Sequence, residues 1–194
     1  MSLIEAKGVY RLLRDWVYRR HIRQAERAYA RNKTSADPGD HIILITSSDS
    51  KTATRELRFA RANFNDAPYR TITCITPGTA WNELDGLPVN WTCVPFGIEQ
   101  ATRFALPTRG LCENIARRSA RVTVLLATDP DPYVELLFAH AHSPHKVTFN
   151  NENRLYSATL IVSPASNVDD ERSLHHLFNT MDTFLPAPQR PVSV

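Results

Sequence analysis

Short β-branched apolar runs alternate with amphipathic stretches from His41 onward. His41 to Ser47 (HIILITS) is apolar over strand length and predicts a buried strand. Ser48 to Ser50 can cap the helix that follows, which runs to about Phe64 with Ala53, Leu57, Ala60 and Phe64 as its inner face. Tyr69 to Thr76 predicts a second strand closed by Pro77-Gly78, and Val89 to Val94 a third. Gly97 to Pro107 reads as an irregular or short helical connection, and Arg109 to Ser119 as a helix. Arg121 to Ala127 (RVTVLLA) is the clearest strand. Asp129-Pro130-Asp131-Pro132 then opens a helix to about His142, since proline in a first turn costs no hydrogen bond and aspartate there suits the helix dipole. Lys146 to Phe149 and Tyr156 to Val162 predict two last strands around an Asn150–Asn153 turn. Asp169 to Phe184 predicts a closing helix with Leu174, Leu177, Phe178, Met181 and Leu185 on one side.

Buried strands alternating with helices define an α/β fold: a mostly parallel open sheet of five to six strands, Rossmann-like or flavodoxin-like, covered on both faces. The last two strands are expected as an antiparallel hairpin at one edge. The layered domain spans residues 37–185, and the proline-rich tail 186–194 reads as extended.

Residues 1–36 form an arm of different character. Leu3 to Lys33 contains no proline and is rich in helix formers, yet its apolar residues change sides. Val9, Leu12, Leu13, Trp16 and Val17 form one stripe, and Tyr18, Ile22, Ala25 and Tyr29 continue on the opposite face. Arg20, Arg23, Arg27 and Arg31 then occupy the face that Val9, Leu13 and Trp16 held earlier. Either one continuous helix meets different surroundings at its two ends, or the chain bends near Tyr18 to Arg20. Asn32 to Asp40 (NKTSADPGD) reads as the hinge to the body.

Charge sharpens this division. The formal net charge is +3, but the first 36 residues carry nine lysines and arginines against three acids, whereas the rest carry 14 against 17. A cationic arm on a slightly acidic body points to an anionic partner. Arginine at helical spacing suits phosphate oxygens, because its fork donates two parallel hydrogen bonds. No apolar run approaches the ~20 residues that span a bilayer, and no signal-peptide core follows the start. Cys74, Cys93 and Cys112 are widely spaced and odd in number, which suits reduced thiols in a cytoplasmic protein.

In open α/β sheets, ligands bind beyond the carboxyl ends of the strands. The loop Ser47-Ser48-Asp49-Ser50 offers hydroxyls and amides at a helix start, and Asp129 and Asp131 lie in the corresponding loop of the fourth strand. Ser47, Ser48, Asp49 and Asp129 are therefore the candidate ligand-binding residues. Neither GxGxxG nor GxxxxGKS/T occurs, and no GxSxG or HExxH. His140, His142 and His145 lack metal-ligand spacing, since residues two apart on a helix point about 200° apart. Arg109, Arg117 and Arg118 lie close enough to Cys112 to lower its pKa. No catalytic residue, metal or cofactor is assigned.

The order of features is itself informative: the basic helix, HIILITSSD, the segment Val89-Asn90-Trp91, VLLATDPDPYVELL, the turn Ser143-Pro144-His145-Lys146-Val147, and a last strand and helix. Over about residues 5–185 it resembles an uncharacterised Bacteroidota family of small conserved proteins. That resemblance implies a Rossmann-like body and a bacterial cytoplasmic setting, and carries no chemistry with it.

The leading expectation is a non-enzymatic protein that binds RNA or a ribonucleoprotein. Arg20, Arg23, Arg27 and Arg31 would contact phosphates, with Lys7, Arg11 and Arg14 contacting them from the other face. Two alternatives stand beside it: a small-molecule or enzymatic domain using the loops at the strand ends, and peripheral attachment to an anionic membrane through the N-terminal helix.

Overall fold

The computed structural model describes residues 3–31, 40–64, 71–86, 88–150, 155–163 and 170–185; of residues 3–9, 31 and 170 it describes the backbone alone. Residues 32–39 of the expected Asn32–Asp40 hinge, residues 151–153 of the expected turn and the tail 186–194 lie outside the described residues. Elements follow in the order α1 (Leu3–Arg31), β1 (His41–Ile45), α2 (Ser50–Phe64), β2 (Thr71–Pro77), α3 (Gly78–Asn82), β3 (Trp91–Phe96), α4 (Arg109–Ala116), β4 (Val122–Leu125), α5 (Pro132–His140), β5 (His145–Phe149), β6 (Leu160–Val162) and α6 (Asp170–Phe184), with a 3₁₀ turn at Ile98–Gln100.

The six strands form one sheet in the order β3-β2-β1-β4-β5-β6. Every neighbouring pair is parallel, with Ile42 of β1 set between Ile72 of β2 and Val122 of β4. This is the Rossmann strand order, whose direction of winding reverses between β1 and β4. Strand alternation divides the core. Ile43 and Ile45 face α4 and α5 with Ile75, Val94 and Leu125, whereas Ile42 and Leu44 face α2 and α6 with Ile72, Val122 and Val124. The faces expected of the flanking helices are the buried ones: Ala53, Leu57, Ala60 and Phe64 in α2, and Leu174, Leu177, Phe178 and Met181 in α6.

The sheet edge departs from expectation. β5 and β6 pair in parallel, not as an antiparallel hairpin. The cause lies in the return segment. Tyr156 is buried against Phe138, edge to face with centroids 5.1 Å apart, so it packs on the α5 side and belongs to no strand. The Thr159 amide then donates to the Lys146 carbonyl at 2.8 Å, which brings the chain back to the start of β5 before β6 begins.

The N-terminal segment is a single 29-residue helix, about 44 Å long at 1.5 Å per residue. It lies against α5. Tyr18, Ile22 and Ala25 are buried in the same cluster as Leu136, Leu137 and Phe138. The reason is written in α5, where Tyr133 to Ala139 are seven consecutive buried residues. A helix that is apolar all round needs cover on its outer side as well as from the sheet. Helix α1 supplies it.

Candidate functional site

Two regions carry the residues singled out from the sequence. The first is the crevice beyond β1 and β4, at the switch point. Its polar groups are already matched to one another. The Ser47 amide and hydroxyl donate to the Glu56 carboxylate at 2.7 and 2.5 Å, and Glu56 is 3% exposed. The Ser48 hydroxyl donates to Asp131, which also caps α5 by accepting from the Val134 amide at 3.0 Å. Asp49 caps α2, accepting from the Thr52 amide and hydroxyl at 2.9 and 2.8 Å. These bonds hold its carboxyl below the usual range. Asp129 is exposed at the rim.

The kind of donors that hold a phosphate at helix starts in nucleotide-binding proteins serve this chain's own carboxylates here. Three further acids, Asp49, Asp129 and Asp131, line the same crevice, which makes it electronegative. Ser48 and Asp131 also line a cavity of about 260 Å³, together with Pro77, Phe96, Gly97 and Tyr133, so of the predicted ligand-binding residues Ser48 is the one that borders it. Among the described residues no group of three or more histidine, cysteine or acidic side chains is placed to hold a metal ion. Burial pushes the Cys112 thiol up to about 12, against the lowering expected from nearby arginines, because the side chain points into the core between α4 and α5. Cys74, Cys93 and Cys112 are all free thiols.

The second region is α1. Docking on α5 fixes which way each side chain of the helix points. The Tyr18 hydroxyl donates to the Glu135 carboxylate, and the Tyr29 hydroxyl donates to the Ser143 carbonyl at 2.7 Å. Further along, Glu26 accepts from the Ser157 amide at 3.1 Å and from its hydroxyl at 2.5 Å. Nearer the amino end, the Tyr10 hydroxyl donates to the Arg103 carbonyl, with its ring beside Phe104.

From Leu12 to Ala30 the opposite face is solvent-exposed. Arg20, Arg23 and Arg27 stand there in a row at steps of three and four, and none of them is in an ion pair with a described carboxylate. Glu171 belongs to α6, on the other side of the sheet. Leu12, Leu13 and Trp16 continue the same outward face toward the amino end, at 72, 45 and 57% exposure. The Arg20 guanidinium lies 5.6 Å from the Trp16 ring centroid and joins the two halves.

The other predicted basic residues separate from this row. Arg11 is exposed on the opposite flank, and Arg14 is half-buried on the side turned toward the body. The side chains of Lys7 and Arg31 lie outside the described residues.

Sequence reasoning missed three buried charges. Glu135 is 6% exposed, with its carboxyl held above the ordinary range by burial. Glu56 anchors the loop after β1. Lys146 is 1% exposed, and its ammonium donates to the Ala139 carbonyl at 3.0 Å beneath the Tyr29 ring, 4.5 Å away. The one available signal was position: each sits within an otherwise apolar inner surface, where a charge must find partners.

Fold and site together define an α/β protein of Rossmann strand order with a self-occupied crevice and a docked helix whose cationic row has no carboxylate partner among the described residues. No family model, curated protein or solved structure matches the chain. No helix among the described residues is long and apolar enough to cross a membrane.

Proposed function

We propose that this chain is a non-enzymatic docking protein of the cytoplasm whose α1 engages a phosphate-bearing surface. The observation that carries the reading is the row Arg20, Arg23 and Arg27, exposed and without carboxylate partners among the described residues, on the face opposite the one α5 covers. An arginine row held on a rigid body aims its forks without having to fold first, so little ordering entropy opposes the contact. RNA or a ribonucleoprotein is the partner this row by itself favours, through contacts that neutralise phosphates and read no sequence. The resemblance to a bacterial family of unassigned chemistry adds nothing to this reading.

A small molecule in the crevice is the second reading, and the cavity beside Tyr133 and Phe96 favours it. The self-paired serines weigh against a phosphate-bearing ligand there. The full chain carrying Arg23→Glu and Arg27→Glu separates the two. Native lysate is run on sucrose gradients at low and high salt, with and without RNase. The docking reading expects the parent to run with heavy particles, salt to release it, and the variant to stay at the top while folded. A variant that sediments like the parent sinks it.

A further inference from the structure

We propose that the surface α1 meets is an anionic lipid bilayer, against which the whole outward face of the helix lies flat. This inference rests on the docking reading above and names its partner. The arginine row occupies the carboxyl-terminal half of that face. The amino-terminal half holds Leu12, Leu13 and Trp16, all well exposed. Phosphate on a nucleic acid accounts for the arginines and leaves the two leucines in water. A bilayer accounts for both halves. Its headgroup phosphates meet Arg20, Arg23 and Arg27, while Leu12, Leu13 and the Trp16 ring enter the boundary between headgroups and acyl chains.

The change of side that splits the helix in sequence argues for this placement once α1 is docked. Tyr18, Ile22 and Ala25 leave the outward face because α5 takes them, not because the helix lacks an apolar side for a membrane. From Tyr10 to Ala30 the outward line carries no carboxylate: Asp15 lies on a flank, and Glu26 is turned to Ser157. Tyr10 is pinned to Arg103 and Phe104 and does not compete for the patch. Trp16 beneath the Arg20 guanidinium sits at the junction, where an aromatic ring suits the headgroup level. The helix is too polar to cross, so contact is in the plane of the surface.

The test uses the full chain, nuclease-treated, with vesicles of phosphatidylcholine alone or mixed equally with phosphatidylglycerol. The parent is expected to co-sediment with the anionic vesicles and not the neutral ones, and added salt should weaken binding. Trp16 emission should shift to the blue and be quenched by lipids brominated on the acyl chains, a change lost in the variant that lacks Trp16, whereas half-buried Trp81 and buried Trp91 report the body. The variant Leu12→Ser/Leu13→Ser/Trp16→Ser should lose about tenfold or more in vesicle binding with all arginines intact. The variant Arg20→Gln/Arg23→Gln/Arg27→Gln should lose binding to anionic vesicles as well. All six positions are exposed, so an unchanged thermal midpoint confirms that each variant folds.

A parallel arm titrates total ribosomal RNA. If the parent and the serine variant bind RNA equally and neither binds vesicles, the bilayer inference is overturned and the docking reading stands. If neither RNA nor vesicles bind, both fall. If the serine substitutions change only the oligomeric state, the patch is an interface between copies of the chain, and the bilayer inference is again overturned.

Discussion

Lys146 offers the sharpest test of how α1 is held. Its ammonium is buried where α5, β5 and α1 meet, with the Ala139 carbonyl as hydrogen-bond acceptor and the Tyr29 and Phe138 rings around it. Burial lowers its pKa from 10.5 to about 8, and the carboxylate of Glu26 offsets this only in part. At 1.36 kcal/mol per pH unit, the folded state bears a cost on the order of 3 kcal/mol for keeping this group charged. Above pH 10.5 the lysine is neutral in both folded and unfolded chains and the cost is absent. It grows as pH falls through the window and is complete below about 8.

In the parent, other groups act in the opposite sense. The thiols of Cys74, Cys93 and Cys112 are pushed up by burial, so the unfolded chain loses their protons first and stability falls as pH rises past 9. The difference between parent and Lys146→Met cancels those shared contributions. Urea unfolding followed by far-ultraviolet circular dichroism from pH 7 to 10.5 should show the parent gaining on the variant by about 3 kcal/mol between pH 8 and 10.5. At pH 7 methionine removes the charge cost but loses a charge-assisted bond of about 1.5–3 kcal/mol, so the two chains should be close there. A difference that is flat with pH would mean the ammonium keeps its ordinary pKa and is hydrated in the folded protein. The described seating of α1 would then be wrong.

Two further outcomes follow from the same structure. Tyr18→Phe should cost about 1–3 kcal/mol by leaving the buried Glu135 carboxylate without its donor, and Tyr18→Phe/Glu135→Leu should recover part of that loss; additive urea midpoints would show that the two do not act as a pair. Glu56→Ala should cost about 3 kcal/mol and free the Ser47 amide at the start of α2; sulfate should then raise the melting temperature of the variant more than that of the parent, and an equal response would refute the account of the crevice as self-occupied.

Much of the body was legible because burial leaves a periodic trace. The run HIILI and the four-residue strand VTVL lie between helices and carry apolar residues toward both faces, which is what a central parallel strand requires. The inner faces of α2 and α6 were readable for the same reason at helical period. The short helix α3, five residues starting at Gly78, left no such trace, because it is shorter than two turns and only Ala80 is buried. β6 was misjudged because Tyr156 continues the apolar pattern of Leu160 and Val162 while serving a different layer. Periodicity reports that a residue is buried and not against what.

The same limit explains the arm. Read alone, α1 looks like a helix that loses its apolar face halfway. The missing information was in α5, where PYVELLFAH offers one acid and otherwise apolar or aromatic groups through two turns. A helix on the surface of a sheet leaves its outer side polar. This one cannot, so another element must lie over it, and the sole unassigned helix with a matching stripe is the segment holding Tyr18, Ile22, Ala25 and Tyr29. Once that stripe is spent on α5, geometry leaves Leu12, Leu13, Trp16 and the arginines facing outward together. That shared outward face, a consequence of the burial pattern of α5, is the observation from which the function proposed for α1 is argued.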